Sequence, residues 1–140
     1  MPTVITYQEG DRLAVVYPAP DVPVEEAAKT DVPEGVPHAF VDSATLPDRY
    51  FRDAWEFDGP TGAKVNVEKA KEVQRNVWRR IRASKLEALD LEVIKAVERG
   101  DAKRRNAIAA EKQALRDVTD HPLPDDLEGI KATIPDILLP

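Results

Sequence analysis

Residues 66–101 read NVEKAKEVQRNVWRRIRASKLEALDLEVIKAVERGD, and the fold turns on how this stretch is read. Asn66 is a good N-cap, nothing from Val67 to Arg99 breaks a helix, and Gly100 suits the left-handed position just past a helix end. The stretch predicts one helix over 67–99, about 50 Å long at 1.5 Å per residue. Asp101 can cap a second helix over AKRRNAIAAEKQALRDV, residues 102–118, about 25 Å long. So short a link predicts a long antiparallel αα-hairpin. Its second helix carries an apolar stripe of Ile108, Leu115 and Val118, with Ala107 and Ala114.

The two lengths do not match, so the second helix covers only the later half of the first. The apolar pattern changes at the same place. Ala70, Val73, Val77 and Ile81 share one face. Leu86, Leu89, Val93 and Val97 share another, rotated by about 120–160° at 100° per residue. The second stripe has its partner inside the hairpin. The first needs cover from the N-terminal strands or from another chain, which makes Val73, Val77 and Ile81 candidate interface residues.

Trp78 lies among Arg75, Arg79, Arg80, Arg82 and Lys85 on a chain whose net charge is -6. Three readings compete: a solvated face with arginine stems laid along apolar surface, a protein interface anchored by Trp and Arg, or a nucleic-acid patch. Residues 1–65 carry 5 Lys+Arg against 12 Asp+Glu, residues 66–118 carry 14 against 9, and residues 119–140 carry 1 against 5. A basic middle between acidic ends suits self-docking or docking between subunits as well as it suits nucleic acid. For a nucleic-acid binder the acidic flanks are a handicap, because phosphate repels them. On the interface reading, Trp78, Arg75, Arg79 and Arg82 join the apolar stripe.

All 12 prolines lie before residue 61 or after residue 121. In the first group, TVITY (3–7) and LAVVY (13–17) predict a β-hairpin turning at Gly10. VEEAAK (24–29) predicts one helical turn, and DVPEGVP (31–37) a turn segment around Gly35. HAFVD (38–42) alternates as a short strand, with Ser43 as the cap of a single turn before Pro47. RDAWEFDG (52–59) predicts a strand with Trp55 and Phe57 on one face, ended by GPTG (59–62). The expected fold is α+β: a proline-rich, β-rich region over 1–62, the helical hairpin over 63–119, and a C-terminal tail over 120–140 with one short helix from about Asp125. Ile134, Ile137, Leu138 and Leu139 concentrate apolar side chains in that tail, which predicts docking within the chain or onto a partner.

Catalytic signatures are lacking. His38 and His121 have no i, i+4 partner, the chain has no cysteine, and its 6 glycines form no phosphate-cradling loop. Ser43, His38 and Asp42 are neighbours in sequence, which is no sign of a triad. The acidic pairs Glu25–Glu26 and Asp125–Asp126 suit first-turn helix positions. The expectation is a non-enzyme without cofactor or metal. MPTVITYQEG has neither the basic nor the apolar region of a signal peptide, and no apolar run nears the roughly 20 residues of a membrane helix. Synthesis and assembly in a cytoplasm are expected, with no membrane partner.

DVPEGVPHAFVDSATLPDRYFRDAWE, residues 31–56, resembles small proteins encoded beside tail-fibre genes in tailed bacteriophages and prophages. The match rests on Asp31, Val32, Pro33, Gly35, Val36, Pro37, Val41, Asp42, Leu46, Pro47, Arg49, Phe51, Arg52, Ala54, Trp55 and Glu56. The helical half is similar to the hairpin of the same group. QALRDVT, from Gln113 to Thr119, is similar to a segment of tail-fibre assembly chaperones. The resemblance covers about residues 1–120 and implies a tail-associated protein without enzymatic activity; it supplies no catalytic residues. The expected function is a structural component of a phage tail, resident in the virion after synthesis in the host. Its expected partners are a tail-fibre or baseplate protein and copies of itself. An assembly chaperone that leaves before maturation is the alternative. A nucleic-acid-binding protein using the Arg75–Lys85 patch is the lower one.

Overall fold

β-branched and aromatic residues at 3–9 and 12–16 pair because Gly10 takes a φ of +62° between them. In the computed structural model, which describes residues 2–140, strands β1 (Thr3–Glu9) and β2 (Arg12–Val16) form this antiparallel hairpin. Helix α1 (Val24–Asp31) follows Pro23, whose fixed φ suits a helix start, and runs longer than the single turn expected. Strand β3 (His38–Asp42) returns antiparallel to β1, so the sheet order is β2-β1-β3. Strands β4 (Trp55–Asp58) and β5 (Gly62–Val65) form a separate two-stranded hairpin.

The later elements are α2 (Val67–Glu98), α3 (Ala102–Arg116), a 3-10 turn over Asp117–Asp120, α4 (Leu127–Ala132) and a closing 3-10 turn over Asp136–Leu138. The fold is α+β, as expected. It divides into two compact units, one up to Ala70 and one of Lys71–Pro140. Helix α2 begins in the first and continues in the second.

In the first unit β1 is buried on both faces: Val4, Ile5, Thr6 and Tyr7 are all in the interior. On one face Ile5 and Tyr7 pack against Ala27, Ala28 and Val32. On the other, Leu13 joins Trp55 and Ala63. Thr6 is polar in an apolar place, and its Oγ1 donates to the Gly62 carbonyl at 2.8 Å. This second cover is what a two-strand region alone lacks.

Three local expectations need correction or extension. Asp42, and not Ser43, caps the turn over Ser43–Thr45, because its carboxylate accepts from the Ala44 N–H at 2.9 Å. The segment before Trp55 is a pair of 3-10 turns over Arg49–Ala54, capped by Asp48, so the strand is shorter than 52–59. GPTG ends β4, as expected, and its last residue, Gly62 at φ +83°, opens a further strand, β5, that the sequence reading did not include. Sequence alternation is too weak over GAKV to show a strand, and only pairing with β4 makes it one.

The helix punctuation stands as read. The Asn66 side chain accepts from the Lys69 N–H at 3.2 Å, Gly100 has φ +66°, and Asp101 accepts from the Arg104 N–H at 2.9 Å. Helix α3 runs back along α2, with Lys112 paired to Asp90 and the Arg82 Nη1 donating to the Arg116 carbonyl at 2.9 Å. It closes at Arg116, and residues 117–120 tighten into a 3-10 turn.

Candidate protein-interaction surface

The basic stretch of α2 is built around Trp78, which is fully buried within the second unit. Its ring packs with Leu115, Val118 and Leu138, while Ile81, Leu86 and Leu89 close the margin. The His121 ring stands edge-on to it at 5.9 Å between centroids. The indole Nε1–H donates to the Thr133 carbonyl at 3.0 Å. Gln74, also fully buried, donates to the same oxygen at 2.9 Å. One turn earlier the Lys71 ammonium holds Asp125 at 2.7 Å, and this contact keeps the Asp125 carboxyl below its usual range. The chain's own C-terminal segment is therefore what lies on residues 71–82.

That arrangement corrects the two-stripe reading. At about 100° per residue, Gln74, Trp78, Ile81, Leu89 and Ala96 fall within roughly 80° of arc, and Leu86, packed on the same core, lies about 60° beyond them. The buried face drifts around α2 without the gap that two separate stripes would leave. A reading restricted to aliphatic residues omits Gln74 and Trp78, which fill the gap. Val73 and Val77 lie at its margin and are half-buried. Val97, expected inside the hairpin, is exposed; Ala96 takes the inward position. Ala107 and Ala114 are exposed too, and Ile108, Leu115 and Val118 make the inner stripe of α3 and its closing turn.

The arginines expected at an interface have partners inside the chain. Arg79 reaches Glu72 and Asn76, each at 2.6 Å, and Arg75 reaches the same Glu72 at 3.5 Å. The Arg79 contact, foremost, holds the Glu72 carboxyl below its usual range. Arg82 is tied to the Arg116 carbonyl, and Lys85 donates to the Leu139 carbonyl at 3.3 Å. Trp78 and Leu138, expected as interface residues, are buried in the unit itself and not presented to a partner.

The remaining tail residues face outward. Ile134, Ile137 and Leu139 are exposed around the buried Leu138, because a 3-10 turn sends only one of the three leucine and isoleucine side chains of DIL and its neighbour inward. Ile137 also lines a shallow groove of about 380 Å³ with Lys85, Ala88, Leu89, Glu111 and Leu115. The tail is thus not a continuous apolar block: Ile130 and Leu138 anchor it and the others rim it.

Sequence reasoning missed a further apolar group. Leu91, Ile94 and Val97 are 56%, 55% and 56% exposed, more than any other large apolar residue described. Their i, i+3, i+6 spacing is the available signal, and the expectation that Val97 faces α3 masks it.

The end of the 31–56 stretch packs into the interior of the first unit. Phe51, Ala54 and Trp55 are buried, and the Trp55 Nε1–H donates to the Asp48 carbonyl at 3.2 Å. Arg52 stacks over the Trp55 ring at 4.8 Å and donates to the Leu13 carbonyl at 2.9 Å. Burial lowers the pKa of this guanidinium from its ordinary value. Among the described residues, no group of three or more His, Asp or Glu is placed to hold a metal ion. Among the described residues no helix is long and apolar enough to cross a membrane. Compared with protein-family models, curated proteins and solved structures, the chain matches none.

Proposed function

We propose that the chain is a non-enzymatic structural component of a bacteriophage tail: an adaptor that holds a tail-fibre or baseplate protein by protein–protein contact in the virion. The observation that supports it is the exposed apolar surface of the second unit, Leu91, Ile94 and Val97 on the hairpin and Ile134, Ile137 and Leu139 on the tail. Exposed apolar clusters of this kind mark contact surfaces. The assignment to a phage rests on the resemblance over residues 31–56.

Mass spectrometry of purified particles tests it. The protein should be present in tails at a constant ratio to a fibre or baseplate protein. Detection in infected lysate with absence from particles would replace this reading with that of an assembly chaperone.

A further inference from the structure

The side of the α2–α3 hairpin that carries the Asp90–Lys112 ion pair holds the most exposed aliphatic residues of the chain. Successive members of Leu91, Ile94 and Val97 turn by about 60° around α2, so the ridge runs from its outer back toward α3. Val97 meets Ala102 and Arg105 in one surface cleft at the hairpin tip. Ala102 and Ala109 are exposed on this side of α3 and form a floor of small residues beside the ridge. Glu87, Asp90 and Glu98 stand beside the ridge on α2, with Lys95 the one cation next to it, while Arg105 and Arg116 flank the floor on α3, all of them exposed.

We infer that this side of the hairpin is a self-association surface, on which α2 of one copy packs against α3 of a second. Two pairings would bury the ridge around a two-fold axis. Antiparallel packing of α2 on its own copy, centred at Ile94, sets Asp90 against the second copy's Glu98. Each end of the contact then brings a second carboxylate up to Asp90, which Lys112 already pairs. Packing α2 on the second copy's α3 sets Glu87, Asp90 and Glu98 against Arg105 and Arg116, and seats the large ridge on the small floor. Charge and shape both select this second pairing. It requires no particular location for the protein, so it goes beyond the tail assignment and is tested separately from it.

Sedimentation velocity on the full chain over a concentration series should show a reversible dimer that weakens as salt rises. Ile94→Glu should raise the dissociation constant about tenfold or more while leaving helix content unchanged, because residue 94 is exposed in the single chain. Leu91→Gln is the milder companion and should move it in the same direction. Arg105→Glu should weaken the dimer, and adding Glu98→Arg should restore part of the loss. The chain has no cysteine, so single thiols report the pairing directly. A mixture of Ile94→Cys and Ala109→Cys chains should cross-link to each other faster than either does to itself. A monomer at every concentration, or a dimer indifferent to Ile94→Glu, would overturn the inference. Faster linkage of Ile94→Cys to its own kind would overturn the pairing.

Discussion

Trp78 and Gln74 donate to the same carbonyl oxygen of Thr133, so the residue-scale question is how much each donor contributes. A lone hydrogen bond adds about 1 kcal/mol net, and the carbonyl keeps one partner if the other is removed. Trp78→Phe should therefore cost about 1–2 kcal/mol, read as a shift of the urea midpoint. Trp78→Ala, which also empties the site under Leu115 and Leu138, should cost about 3–5 kcal/mol. Glu56 shows the same logic with charge. Lys69 Nζ at 2.9 Å and Asn66 Nδ2 at 3.0 Å both donate to its carboxylate, and its pKa is depressed from the ordinary 4.5. A depressed carboxylate contributes stability that is present above its unfolded pKa and lost as pH falls through the folded value. The advantage of the native chain over Glu56→Gln should be about 1 kcal/mol or less near pH 7, since both ends of the pair reach solvent. It should be present above the ordinary 4.5 and be lost as pH falls through the depressed folded value, as followed by thermal unfolding at a series of acidic pH values.

At the scale of elements, glycines with positive φ separate two kinds of turn. Gly100, at φ +66°, has open space where a Cβ would sit. Gly100→Ala should cost only the conformational penalty, about 1 kcal/mol. Gly62, at φ +83°, would place a Cβ 2.5 Å from Val41 Cγ1 and 3.1 Å from Thr6 Oγ1. Gly62→Ala should therefore cost about 2–4 kcal/mol, because backbone strain adds to a clash with the opposed sheet. Chemical denaturation of the two variants side by side checks the ordering. The same contrast shows what was legible. Gly100 follows a long periodic run and precedes Asp101, so its role is local and readable. The role of Gly62 depends on Thr6 and Val41, which are far away in sequence.

At the scale of the whole molecule, each unit buries one tryptophan: Trp55 in the first and Trp78 in the second. Their environments can be followed separately in single-tryptophan chains. Removing residues 121–140 takes away Thr133, Leu138 and the His121 ring from around Trp78. Each large apolar side chain returned to water costs about 1.5–3 kcal/mol. The truncated chain should show red-shifted Trp78 emission and an early unfolding step. Trp55, which packs with Leu13 and Ala63, should keep its emission.

The sequence by itself determined the helices and their punctuation, the first β-hairpin and the α+β class, because caps, turn glycines and apolar periods act over a few residues. It also placed proline where no helix could run. Only the tertiary structure decided which face of α2 is buried and what covers it. Gln74 is polar and Trp78 sits among arginines, so local pattern assigns neither to an interior. They become core residues because the C-terminal segment offers the Thr133 carbonyl and Leu138 to that face. Leu91, Ile94 and Val97, equally apolar, stay outside. Apolar character says that a residue gains from burial; which residues obtain it is settled by contacts between distant segments.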